Sequence, residues 1–180
     1  MQISSFEKSE VVVDHVRGGL AEWCFVDTKE YRARFADIDR VLRYFEDKTK
    51  GKRLPRRSDV VPSELKDVLP DICFMAPVFD PAGVIEDITV QLMGTNVVSF
   101  YGEMTGKSVF EHPSSQIGQR ILASMTKAIR DREPVTTFAN SLSDEKSHLQ
   151  VSVLYIPMAE NGKDIDRFFM HVGVYRKIHD

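Results

Sequence analysis

The chain is 180 residues long, 42% hydrophobic and 28% charged, with a formal net charge of −3. These values fit a single domain with some extra sequence and exclude wholesale disorder; lysine and arginine are scattered, dense only at Lys48–Arg57, which speaks against nucleic acid or an anionic membrane as partner. The sequence opens without a secretory pattern, no apolar run is long enough to cross a bilayer, and Cys24 and Cys73 sit in apolar stretches as buried thiols, so a cytoplasmic protein is expected.

Residues 1–36 are expected to form a partly ordered N-terminal extension. Val11-Val12-Val13 reads as a short strand and Leu20–Val26 as an apolar patch, but no period crosses Gly18-Gly19. From Asp37 the pattern sharpens: Ile38, Val41, Leu42 and Phe45 recur at helical spacing, with Asp37 placed to cap and Gly51 to end, which predicts an amphipathic helix over Asp37–Asp47. Its stripe docks on its own domain by default; the alternative is an interface with a second copy of the chain. A proline-punctuated connector completes residues 37–70, and its Arg56, Arg57 and Asp59 read as a salt-bridged clamp between connector and sheet.

The remaining residues, 71–180, carry the domain. Strands are predicted at Asp71–Phe79 and Asp87–Met93, joined by the turn Asp80-Pro81-Ala82-Gly83. A glycine-punctuated stretch follows, with one short helix over Asn96–Tyr101. Next come a long helix, Ser115–Asp131, stopped by Pro134, and strands at Val135–Leu142, Leu149–Ile156 and Arg167–Arg176. The expected fold is α+β: a five-stranded antiparallel sheet with the short helices and the long helix on one face, preceded by the amphipathic helix.

Methionines and aromatics gather around the glycine-punctuated stretch. Met93, Phe100, Tyr101, Met104 and Phe110, with Met125, Phe138, Tyr155 and Met170, predict an apolar pocket, although the same periods also describe ordinary core. Gln91, Tyr101, Ser152 and His171 are the polar groups expected to orient a ligand, subject to strand register. The five histidines show no metal-ligand spacing, no Gly-x-Ser-x-Gly elbow is present, and Gly94, Gly102 and Gly106 are too far apart to cradle a phosphate. No catalytic residue and no metal is assigned, and the cofactor, if any, is unknown.

Several short pieces agree in order and spacing with a known family: Leu54-Pro55-Arg56-Arg57-Ser58-Asp59-Val60-Val61-Pro62, Leu69-Pro70, Gln91-Leu92-Met93-Gly94-Thr95, Phe100-Tyr101-Gly102, Thr105-Gly106-Lys107 and Leu154-Tyr155-Ile156-Pro157-Met158. Over about Asp37–Tyr175 the chain resembles a PAS domain, and more narrowly the small stand-alone PAS-like family common in alphaproteobacteria. Gln91 departs from it, standing where that family often has an arginine. Haem-binding PAS domains usually place an iron ligand on the long helix, which here holds no histidine, and a flavin adduct would need a cysteine after the second strand. The resemblance implies a sensory or signal-relay domain that binds a small molecule or a protein partner and has no catalysis of its own. With no output domain after the last strand, the signal is expected to pass to a partner or through homodimerisation. The alternatives are a ligand-free interaction module and a small enzyme using the same pocket, with His171 as its one acid–base candidate.

Overall fold

The structure, a computed structural model, describes residues 11–16, 19–140 and 149–176. Two strands, β1 (Val11–Val16) and β2 (Gly19–Val26), are followed by helices α1 (Thr28–Arg34) and α2 (Ala36–Thr49). After the connector come β3 (Ile72–Phe79), β4 (Ile85–Met93), the short helix α3 (Thr95–Tyr101), the long helix α4 (Ser115–Asp131), β5 (Val135–Asn140), β6 (Leu149–Met158) and β7 (Arg167–Arg176). The strands form one antiparallel sheet in the order β1-β2-β5-β6-β7-β3-β4. The predicted mixed fold is therefore present, with β3 to β7 as its five expected strands. The last two residues of the strand predicted to end at Leu142, and residues 1–10 of the expected extension, lie outside the described residues.

Two features correct the expectation. Among the described residues the sheet has seven strands, not five, because residues 19–26 are no loose extension: β2 runs along β5 with Trp23 opposite Ala139 and Val26 opposite Thr136. The helices also cover both faces. Side-chain alternation sends Trp23, Cys73, Met75, Val153, Tyr155 and Met170 to the face beneath α3 and α4. Cys24, Phe74, Phe138, Leu154, Ile156 and Phe169 go to the opposite face, beneath α1, α2 and the connector. Strands apolar on both sides are what a doubly covered sheet requires.

The amphipathic stripe of α2 is spent on this second face. Ile38, Val41, Leu42 and Phe45 are 1%, 0%, 5% and 4% exposed, and the Phe45 ring meets Phe169 edge-on at 4.9 Å between centroids. These four residues take the default, intramolecular docking, and the alternative interface with a second copy gives way to an internal contact, since each side chain gains about 1.5–3 kcal/mol by burial against its own sheet. The connector is tied to the same helix. Arg53 grips Asp59 through two hydrogen bonds of 2.6 and 2.9 Å, and the Asp59 carboxylate also accepts the Arg56 amide at 2.7 Å. Tyr44 donates its hydroxyl to the Asp59 carbonyl at 2.6 Å. The clamp predicted for Arg56, Arg57 and Asp59 therefore closes through Arg53, while Arg57 lies over the Phe74 ring at 4.7 Å and its amide donates to Glu160 at 3.1 Å.

Gly94 shows why the strand β4 stops where it does. A Cβ there would fall 2.4 Å from the Pro70 carbonyl oxygen, so only glycine allows the chain to pass the connector and enter α3. Gly102, at φ 89°, then ends α3 in a conformation that side chains resist.

Candidate functional site

Between the sheet and helices α3 and α4 lies a cavity of about 80 Å³. Its floor comes from alternate residues of the strands, including Cys73, Met75, Val153, Tyr155 and Met170, and from Trp23 of β2 at one end. Its roof is Val97, Phe100 and Tyr101 of α3, Ile117, Arg120 and Ile121 of α4, and Met104, Val109 and His112 between the helices. The space suffices for a few waters or one small molecule. Its wall is apolar with few polar groups, the usual composition of a small-molecule site.

Those polar groups are specific. Arg120 is 8% exposed and places a guanidinium, with five N–H donors and a permanent charge, in this apolar wall. Burial pushes the Tyr101 phenol up to about 12 and raises Tyr155 further, with the nearby Arg120 charge opposing both shifts. Both phenols are therefore protonated donors at neutral pH. His112 is a strut: its Nδ1 accepts the Ser114 amide at 3.0 Å, which leaves Nε2 to donate to the Tyr101 carbonyl at 3.0 Å. That arrangement ties the start of α4 to the end of α3 and leaves neither ring nitrogen available to an iron. The Met104 amide donates to the Met93 sulfur at 3.3 Å, stitching the loop to β4. Burial also lifts the Cys73 thiol to about 12, so it is no nucleophile.

Of the residues expected to bind ligand, Met93, Phe100, Tyr101, Tyr155 and Met170 line the cavity, as does Met104. The others do not, each for a stated reason. Gln91 is exposed on β4. Phe110 is 40% exposed because its ring lies across Gly118 of α4, where a Cβ would approach it to 2.6 Å. Met125 is fully buried in the packing behind the cavity. Phe138 and Ser152, opposite each other in register, point to the α1–α2 face, and His171 follows the same parity. Sequence reasoning missed Trp23 and Arg120. For Arg120 a signal existed: it lies three residues after Ile117 and four before Ser124, inside the buried stripe of α4.

The hollow thus lies beneath two helices on one face of an antiparallel sheet. Among the described residues no three His, Cys, Asp or Glu side chains are grouped to hold a metal, and no helix is long and apolar enough to cross a membrane. The chain belongs to the PAS domain family, whose model matches residues 35–173. PAS domains are in general non-catalytic sensory, signalling or interaction modules. Neither a curated protein nor a solved structure matches the chain. Trp23, which closes one end of the cavity, lies outside the family match and is contributed by β2.

Proposed function

We propose that this chain is a small-molecule-responsive signal-relay module without catalysis of its own. The observation that carries the reading is the cavity: an apolar hollow of about 80 Å³ with one arginine and two protonated phenols in its wall. Its ligand is a small, mostly apolar molecule with one polar or anionic end, which Arg120 and Tyr101 orient while methionines adapt to the body. Occupancy acts on α3 and α4, which roof the cavity and are joined by His112, and through them on the surface. Two observations support the absence of catalysis: the cavity cysteine and phenols are held protonated, and His112 uses both ring nitrogens structurally.

A second reading, an interaction module, is favoured by the exposed Val78, Phe79 and Val84 together at the β3–β4 tip, 40%, 38% and 61% exposed. Denaturing extraction and mass spectrometry of the natively purified chain separates the two. The sensor reading expects one small molecule per chain from the wild type and none from Ala139→Phe, which fills the cavity. Nothing released from the wild type, with no change in melting temperature across small carboxylates and alcohols, overturns it in favour of the interaction module.

A further inference from the structure

A second opening lies on the other side of α3, a groove of about 350 Å³ between the start of α2, the turn before β3, α3 and the end of β7. Asp37 and Asp71 line it, and among the described residues no lysine or arginine does. Asn96 donates to Asp71 at 2.7 Å and fixes that carboxylate. Two further polar groups close the groove with no hydrogen-bond partner among the described residues. His171 is 2% exposed with its Nε2 unbonded, and the Tyr175 hydroxyl is likewise enclosed and unbonded. Such atoms are rare in folded proteins and usually await a ligand or water.

The fold holds this arrangement by design of the strand. Gly173 lies between the two side chains on the same face of β7, and a Cβ there would stand 2.5 Å from the Tyr175 oxygen. Glycine thus lets the phenol fold back over the strand. Burial depresses His171 below its ordinary value although Asp37 and Asp71 pull the other way, so the imidazole is neutral and does not offset the carboxylates.

We propose that this groove binds an organic ammonium group. Two carboxylates and a neutral acceptor, imidazole nitrogen or phenol oxygen, match the three N–H donors of a primary ammonium. A bare metal ion would leave the apolar side of the groove, Val97, Phe100 and Val172, without a contact, whereas an organic ammonium covers it. The carbon body rests on Val97, Phe100 and Val172, which also line the central cavity from its other side. The helix α3 is therefore the partition between two sites. This proposal uses none of the polar groups assigned to the central cavity, and either site can fail without the other.

The test is an NMR titration of the full chain with n-butylammonium chloride, following the ring signals of His171 and Tyr175, with sodium butyrate, n-butanol and magnesium chloride as comparisons. The expected result is a saturable shift of both rings with the ammonium salt alone, weakened at least tenfold in Asp71→Asn, whose amide oxygen still accepts from Asn96. Asp37→Asn, which removes no hydrogen bond seen in the structure, gives a second weakening should the first variant fold poorly. Equal shifts with butanol, the same shifts with magnesium, or full response in both variants would overturn the proposal.

Discussion

The two faces of one sheet are closed in different ways. Under α1 and α2 the seal is made of rings: Tyr31 stacks on Phe35 at 5.3 Å, and Phe45 and Phe74 both meet Phe169 edge-on, at 4.9 and 5.4 Å. Ion pairs tie the covering segments together outside it, Arg32 with Asp39 and Glu46, Arg53 with Asp59. Under α3 and α4 the seal is made of methionines and a few aromatics, and a hollow remains. Rigid rings with paired charges fix a sheet in place, whereas thioethers with three rotatable bonds tolerate a change of contents. The contrast gives the proposed function a physical basis: one face anchors the strands so that the other can repack.

The largest effect that would break this comparison lies on the ring-sealed face. Phe169→Ala should cost about 3–5 kcal/mol, since the ring is fully buried between Phe45 and Phe74 and its neighbours cannot collapse into the gap. Urea denaturation measures it, and a cost below about 1 kcal/mol would show that this face is as yielding as the other. Next in size is a matched pair of insertions. Ser152→Leu, placed opposite Phe138 and Gly173 on the packed face, should cost about 1–3 kcal/mol, while Ala139→Leu grows into the hollow and should cost under about 1 kcal/mol.

The clamp gives a smaller effect. Asp59→Asn removes the charge gripped by Arg53 and should cost about 1 kcal/mol, as expected for a partly buried, two-bond arginine–carboxylate pair. Its signature is the pH profile. The Arg53 hydrogen bond holds the Asp59 carboxyl below the usual 3.8, so its contribution is complete above that value and is lost as pH falls through the lowered one; the variant's acid limb should be flatter there. His171 supplies the smallest effect. Its value is lowered from 6.5 by burial, against the pull of Asp37 and Asp71, so the unfolded chain takes up a proton first and stability falls as pH drops below about 6.5. His171→Leu should remove that decline in melting temperature between pH 7 and 5.

Much of the fold is legible in the residues. The period of α4, the stops at Pro134 and Gly102, the alternation of β4 and the apolar runs of β3, β5, β6 and β7 between turn residues each follow from local chemistry. The strand β2 is not, because Trp23 and Phe25 fill one face while Cys24 and Val26 fill the other, leaving a continuous apolar run without a period of two. The cavity was half legible for the same reason. Tyr155 and Ser152 are an odd number of residues apart on one strand, and Met170 and His171 are neighbours, so neither pair can share a face. Parity alone separates them, but which parity faces the hollow depends on the α1–α2 cover, which no single strand reveals. Gly118 and Phe110 show a further limit, since the ring is held outside by a contact between distant residues.

The measurement that tests the central claim most directly is methyl NMR of methionine-labelled protein under xenon pressure. Xenon enters dry apolar cavities and shifts the methyls around it. The account predicts pressure-dependent shifts at Met75, Met93, Met104 and Met170, which line the hollow, and none at Met158, buried in the ring-sealed face. No shift at the four, or an equal shift at Met158, would contradict it.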